Sequence, residues 1–392
     1  MERGTTQPPV LVLGGAGVTA LGVIRSLGRA RIPLLAVCPR NELQARSRWY
    51  RQAPLLGDRN PVPSELAAYL AGLAINRAVL IPCGDDWVKA ASALPDELKD
   101  RYPASIPGPK TIGVLTNKWL FAETVERLGI PRPRTILLRS IEQMRNLSEA
   151  CYENTFLKPI ASMEFCERNK VKAFPLKSKA HALELMGNRA NEFPILLQEY
   201  ITGPPTNYYL VDGFVDRERR IRALIARRRL RMYPVDFGNS TLSETVSLHE
   251  VKGAVETLEY LWSELEYRGI FDAEFKYDPR DGRFKIIEVN ARPWWHIGFV
   301  ARCGVDLCRM SYLDALGLPF KSANGYPVGR RVAFLASDFR AYRAMDAGLS
   351  GFLPWMRSWV GAYDAVYSSQ DLWPGIWSTL QWMKYVCRAR TG

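Results

Sequence analysis

Apolar and polar positions alternate in blocks along the first hundred residues. Val10–Leu13 is an unbroken apolar run that ends in Gly14 and Gly15. After Gly17 the apolar residues recur at helical spacing through Leu27, and Pro33–Val37 and Ala78–Ile81 are again short and continuously apolar. This pattern predicts strands at Val10–Leu13, Pro33–Val37 and Ala78–Ile81, with helices at Val18–Leu27 and Leu66–Leu73. Strand and helix alternate, so the fold class is α/β, with a parallel sheet flanked by helices. A Pro- and Gly-rich stretch ending at Lys110 closes this first unit.

The pattern then changes. Asn117–Leu128 reads as a helix stopped by Gly129. Thr155–Lys158, Ala173–Leu176 and Ile195–Tyr200 read as short strands. A basic, strand-rich section runs from Arg217 to Met232, followed by a helix at Val251–Leu265. Phe271–Tyr277 and Phe284–Asn290 read as a strand pair joined by DPRDG, whose Pro, Asp and Gly suit a turn. From about Lys321 the chain becomes rich in tryptophan.

The chain has 392 residues, enough for two or three domains. Its formal net charge of +13 favours anionic partners. Seven cysteines with no C-x-x-C pair argue against a disulfide framework or a zinc site and fit a reducing cytoplasm. Three histidines leave little for chemistry that needs a His cluster. The opening MERGTTQPPV lacks the apolar core of a signal peptide, and no apolar run is long enough to span a bilayer.

Gly15-Ala16-Gly17-Val18-Thr19-Ala20 matches the G-x-G-x-x-A turn of dinucleotide-binding units. That reading also needs an acid after the second strand to hold the ribose. The chain has AVCPRNE there, with Glu42 late and Arg40 able to meet a 2′-phosphate. An NADP-dependent oxidoreductase is therefore one alternative. Close helix–sheet packing is the plainer use of the same glycines.

The densest chemistry lies in GIFDAEFKYDPRDGRFKIIEVNARPWW, Gly269 to Trp295. Two strands joined by a tight turn lie side by side, so Glu274 and Glu288 can project from one face. Asn290 shares the face of Glu288 by strand periodicity. Two carboxylates and an amide oxygen are hard donors suited to Mg²⁺ bound with nucleotide phosphates. Arg292 follows and suits a phosphate or carboxylate. Upstream, Lys118 opens a helix and Lys158 ends the strand FLKP, and both suit phosphate as point charges. The extended Gln198-Glu199-Tyr200-Ile201 stretch offers backbone groups able to read an adenine edge.

These pieces, in this order, resemble the ATP-grasp superfamily, in particular its carboxylate–amine ligases. The resemblance runs over roughly residues 9–320. It implies a Rossmann-like pre-ATP-grasp domain at 1–112, a small lobe at 113–195 and a large lobe with the Mg–ATP site at 196–320. A Trp-rich helical extension follows at 321–392. It implies ATP phosphates on Lys118 and Lys158, adenine at Gln198 to Ile201, and Mg²⁺ on Glu274, Glu288 and Asn290. Arg292 and Lys158 would be the catalytic cations. The implied reaction joins a small-molecule carboxylate to an amine through an acylphosphate, with ATP and Mg²⁺ as cofactors, in the cytoplasm.

Two departures stand out. The loop after FLKP, IASMEFCERNKVKAF, has no glycine, and Lys170 or Lys172 would have to supply its charge. TGPPTN follows the hinge strand where relatives carry an acid for the ribose, which leaves Asp212 and Asp216 as candidates. In PCGDDWV, Asp85 or Asp86 could meet a substrate amine, with the other capping a helix. A further alternative is a membrane-surface role for the tail. There Trp355, Trp359, Trp373, Trp377, Trp382 and Tyr385 with Lys384, Arg388 and Arg390 suit an interfacial helix. Nucleic-acid binding is not expected, because the basic run Asp216–Met232 alternates with apolar residues and reads better as strands around a phosphate-rich site.

Overall fold

The opening apolar run forms β1 (Val10–Leu13) of a computed structural model that describes residues 7–388 apart from 16, 161, 235, 236, 346 and 347. β1 pairs in parallel with β2 (Leu34–Val37) on one side and β3 (Val79–Pro82) on the other. It is covered on both faces, which is why all four of its residues are apolar and buried. The helix Val18–Arg29 follows the glycines as expected.

Those glycines serve packing. Gly14 and Gly15 have φ of 63° and 77°, the left-handed region in which a Cβ is strained. A Cβ on Gly14 would overlap the Trp87 indole, and one on Gly15 would lie 2.5 Å from the Cys83 Cβ. The Gly17 N–H, which a dinucleotide phosphate would need, donates to the buried Gln44 Oε1 at 3.0 Å. The middle residue of the motif, Ala16, lies outside the described residues. Farther along the same helix, a Cβ on Gly22 would come within 2.7 Å of Ile297 Cγ2, so the first domain is packed closely on the helix Ile297–Arg302.

The second unit is an antiparallel sheet of β4 (Thr135–Leu138), β5 (Thr155–Pro159), β6 (Phe174–Pro175) and β7 (Ile195–Glu199), in the order β4-β7-β5-β6. The expected strand Ala173–Leu176 shrinks to two residues, and Pro175 has no N–H to extend the ladder. β7 stays in this sheet through Glu199, because its apolar residues are buried between β4 and β5.

The third unit is a seven-stranded sheet. It comprises β8 (Tyr208–Val215), β9 (Ile221–Tyr233), β10 (Asn239–Val246), β11 (Gly269–Asp278), β12 (Arg283–Asn290), β13 (Arg331–Ala333) and β14 (Tyr363–Asp364). The order is β12-β11-β8-β9-β10-β13-β14. The basic section does not begin as a strand at Arg217. Residues 216–220 turn, with Arg219 at φ 64° and the Asp216 carboxylate accepting the Arg220 N–H at 2.9 Å. Nor is the segment after 321 only a helical appendage. The open edge of β10 pairs with β13, Leu242 against Ala333 and Glu244 against Arg331, so this segment completes the large sheet.

Candidate active site

A cavity of about 1170 Å³ opens between the four-stranded and seven-stranded sheets, with Gly15, Asp85 and Trp87 of the first domain at one end. The ten residues to which the resemblance assigns nucleotide, metal or catalytic roles all line it: Lys118, Lys158, Gln198, Glu199, Tyr200, Ile201, Glu274, Glu288, Asn290 and Arg292.

Strand alternation sets one wall. On β5, Thr155, Leu157 and Pro159 are buried in the small lobe, which turns Phe156 and Lys158 to the cleft. Burial pushes the Lys158 amine down to about 8, and the nearby Lys118 charge adds to this. Lys118 is the first residue of the helix Lys118–Arg127, whose N-cap Asn117 accepts the N–H groups of Trp119 and Leu120 at 3.0 and 3.1 Å. Burial lowers its pKa too, against the opposing pull of Glu288.

β7 and its continuation form the hinge. Gln198 is buried and donates to Thr135 Oγ1 at 2.8 Å, so its side chain braces the sheet. The Glu199 carboxylate accepts the Arg134 N–H at 3.0 Å and also pairs with Arg280. Burial would raise its pKa, but these two donors outweigh that and hold it low. Tyr200, Phe156 and Phe237 converge with ring centroids 4.9 to 6.3 Å apart, an aromatic surface of the kind a flat heterocycle stacks on.

The floor is β11 and β12. Glu274 lies directly opposite Glu288, and the next pair is Phe275 with Ile286, so a bulge at Ile287 follows the two acids. Glu274 accepts from Arg229 Nη2 at 3.1 Å. Its pKa is raised, by burial first and by the Glu288 carboxylate as well. Glu288 is exposed to the cleft, close enough to act electrostatically on Lys118, Lys158 and Arg292. Asn290 is held from behind, its Nδ2 donating to Asp272 Oδ2 at 3.0 Å. Its Oδ1 accepts from Arg292 Nη2 at 3.1 Å. Arg292 is clamped by Asp85 at 2.7 and 3.3 Å. Desolvation lowers its pKa and Asp85 more than reverses this.

Several expectations are corrected. Asp212 and Asp216 do not reach the cleft. Asp212 is fully buried against Arg227, and Asp216 pairs with Arg220 and Arg222 at the far end of β8. Neither Asp85 nor Asp86 caps its helix by side chain, because Gly84 occupies the N-cap position. The segment after β5 forms a helix, Ser162–Asn169, where a glycine loop would be open; Ala161 and the side chains of 162–164 lie outside the described residues. Lys170 and Lys172 both line the cavity, and Lys172 donates to Asn239 Oδ1 at 2.7 Å.

The sequence reading passed over Arg229, Lys276 and Asp272. Asp272, Glu274 and Lys276 alternate on one face of β11, as do Arg227 and Arg229 on β9, and a bulge between Arg229 and Arg231 interrupts the alternation there. Period-two alternation was the available signal. The three arginines pair with acids, Asp212, Glu274 and Asp338 in turn, where the sequence suggested a phosphate-rich site. Lys276 lies over the rings of Tyr200 and Tyr208, at 4.7 and 4.3 Å.

The three units and the cleft between them have the ATP-grasp fold. Among solved structures, carboxyaminoimidazole ribonucleotide synthase from Aspergillus clavatus, complexed with ATP, aligns with a TM-score of 0.65. It is 14% identical over 88% of this chain and 87% of that one. The biotin carboxylase domain of Hydrogenobacter thermophilus 2-oxoglutarate carboxylase, with MgADP and bicarbonate, aligns at 0.63. It is 15% identical over 82% of this chain and 73% of that one. In sequence, D-aspartate ligase of Enterococcus faecium is 26% identical over 269 residues, 64% of this chain and 63% of that protein. The chain spans less than two thirds of the length of the curated relatives it matches. No protein-family model matches it.

Proposed function

We propose that the protein is an ATP-dependent ligase that activates a carboxylate as an acylphosphate and passes the acyl group to an amine, releasing ADP and phosphate. The observation that carries this reading is the Glu274–Glu288 pair, set face to face beneath Lys118 and Lys158 in one cleft. The Glu288 carboxylate raises the proton affinity of Glu274, so the pair suits a cation between them. Among the described residues no group of three or more His, Cys, Asp or Glu side chains is placed to hold a metal ion. The donor set is therefore two carboxylates and the Asn290 amide, which fits Mg²⁺ shared with phosphate oxygens and water. Bound there, Mg²⁺ would neutralise charge developing on the phosphates.

The chain's own groups do the rest. Lys118 and Lys158 hold the phosphates, and the Phe156–Tyr200–Phe237 surface with the Glu199–Ile201 backbone takes the adenine. The carboxylate oxygen attacks the γ-phosphorus and ADP leaves. The amine nitrogen then attacks the acyl carbon, phosphate leaves, and the amine gives up a proton. Arg292 faces the carboxylate and the transferred phosphoryl group once it turns from Asp85, which is then open to an ammonium. No protein nucleophile is required, and positioning and charge supply the rate.

The test is ADP release by the purified protein. Release is expected only with ATP, Mg²⁺, a carboxylic acid and an amine together, and the name of the Enterococcus relative makes aspartate the first acid to try. A rise in melting temperature with NADPH and none with Mg–nucleotide would overturn the reading in favour of the oxidoreductase.

Lys158 makes the site pH-dependent. Its amine titrates near 8, against an ordinary 10.5. Nucleotide phosphates favour the ammonium, so nucleotide binding should take up protons near pH 8 and weaken as pH rises above it. The unliganded fold should instead gain stability from pH 8 towards 10.5, where only the unfolded chain still holds that proton. Calorimetry in buffers of different ionisation enthalpy reads the proton uptake, and Lys158→Met should abolish it.

A further inference from the structure

The C-terminal tryptophans fall into two classes. Trp355 and Trp359 are spent on the fold, both donating their indole N–H to the buried Asp338 at 3.0 and 2.8 Å. The helix Trp373–Arg388 is different. Pro374 and Gly375 face the body of the protein, whereas Trp373, Ile376, Leu380 and Met383 recur at helical spacing on the solvent side. Trp373 is 67% exposed. Residues 380–384 are all exposed, so these turns stand clear of the body, with Trp382 among them. Twelve of the 20 large exposed apolar residues described lie between Phe339 and Met383, which makes this segment unlike the rest of the surface.

Charge decides what covers the helix. The described acids of this segment point inward. Asp338 pairs with Arg231, Asp371 pairs with the buried Arg25, and Asp364 accepts the N–H groups of Val366 and Tyr367. The exposed charges are Arg340, Arg343, Arg357 and Lys384, all positive. The helix packs on residues 43–46, where Arg46 lies 5.6 Å from the Trp377 ring centroid and is itself exposed. A second copy of the chain would bring like charge against like. Among the described residues no helix is long and apolar enough to cross a membrane. The side chains of Tyr385 and Arg388, and Arg390 altogether, lie outside what is described.

We infer that this helix docks the protein on an anionic lipid surface, its apolar stripe at the acyl boundary and its flanking cations at the headgroups. The inference does not rest on the ligase reading.

The test is co-sedimentation of the full chain with phosphatidylcholine vesicles, with and without about 30% phosphatidylglycerol, enough to give the negative surface potential that polybasic segments read. Partition is expected to be at least about tenfold stronger with the anionic lipid, since each cation near such a surface contributes about 1 kcal/mol. The triple variant Trp373→Ser/Leu380→Ser/Trp382→Ser should lose binding at least about tenfold at an unchanged melting temperature. The pair Arg46→Gln/Lys384→Gln should keep the fold and lose the preference for anionic lipid. Wild-type protein that stays in the supernatant, or a triple variant that pellets equally, overturns the inference. So does a concentration-dependent dimer that the triple variant abolishes.

Discussion

Glu288→Gln is expected to lower ADP release on the order of a thousandfold, comparable to removing a preorganised charge-stabilising group from an active site. The side chain is exposed to the cleft and the fold does not lean on it. Gln keeps the shape and loses the charge. Glu274, whose proton affinity Glu288 raises, should then titrate lower, so the unliganded protein should melt no earlier than wild type. Binding of nucleotide without Mg²⁺ should persist, because Lys118 and Lys158 are untouched, while the gain in affinity from Mg²⁺ should vanish. Turnover at the wild-type rate would show that the carboxylate pair is not the metal site.

Arg227→Met is expected to destabilise the protein by about 3–5 kcal/mol, the cost of stranding buried charges. Arg227 is fully buried at the centre of the large sheet. It donates to Asp212 Oδ1 at 2.9 Å, to Asp272 Oδ1 at 3.2 Å, and its Nη1 lies 2.9 Å from His296 Nδ1. Burial, and then the Arg227 charge, push the His296 pKa well below its ordinary value, so the imidazole is neutral and can accept from the guanidinium. Without Arg227, two carboxylates share an apolar site. Burial and then the Asp212 charge already push the Asp272 carboxyl well above its usual range. A group raised in the folded state favours folding at low pH and loses that contribution as pH rises, so the deficit of the variant should be smallest in acid. Adding Asp212→Asn should restore part of the loss. Denaturant midpoints across pH measure both effects. Activity should fall too, because Asp272 is the group that holds Asn290 in the floor of the cleft.

The site was legible where it is local. Glu274, Glu288 and Asn290 sit on two strands joined by a four-residue turn, and the turn enforces antiparallel pairing. Alternation puts Glu288 and Asn290 on one face, and the bulge at Ile287, which periodicity does not foretell, brings Glu274 opposite Glu288. Lys158 and Phe156 follow from the apolar partners between and beside them on β5. The glycines after β1 were legible as a tight turn and not as a choice between cofactor and packing. That choice depends on Trp87 and Gln44, which approach from other segments.

Contacts between distant segments decided the remainder. Arg292 meets Asp85 across 207 residues of chain, and Arg25 meets Asp371 across 346. β13 closes the edge of a sheet whose nearest strand, β10, ends 85 residues earlier. Local periodicity carries no term for such partners. The sequence by itself determined the strands, helices and hairpin, and with them the chemical set of lysines, acids and amide that the cleft contains. Tertiary structure decided which arginines are spent on buried acids, which tryptophans are core and which face solvent, and where one lobe ends. These outcomes depend on desolvation and on partners that only the folded chain brings within reach.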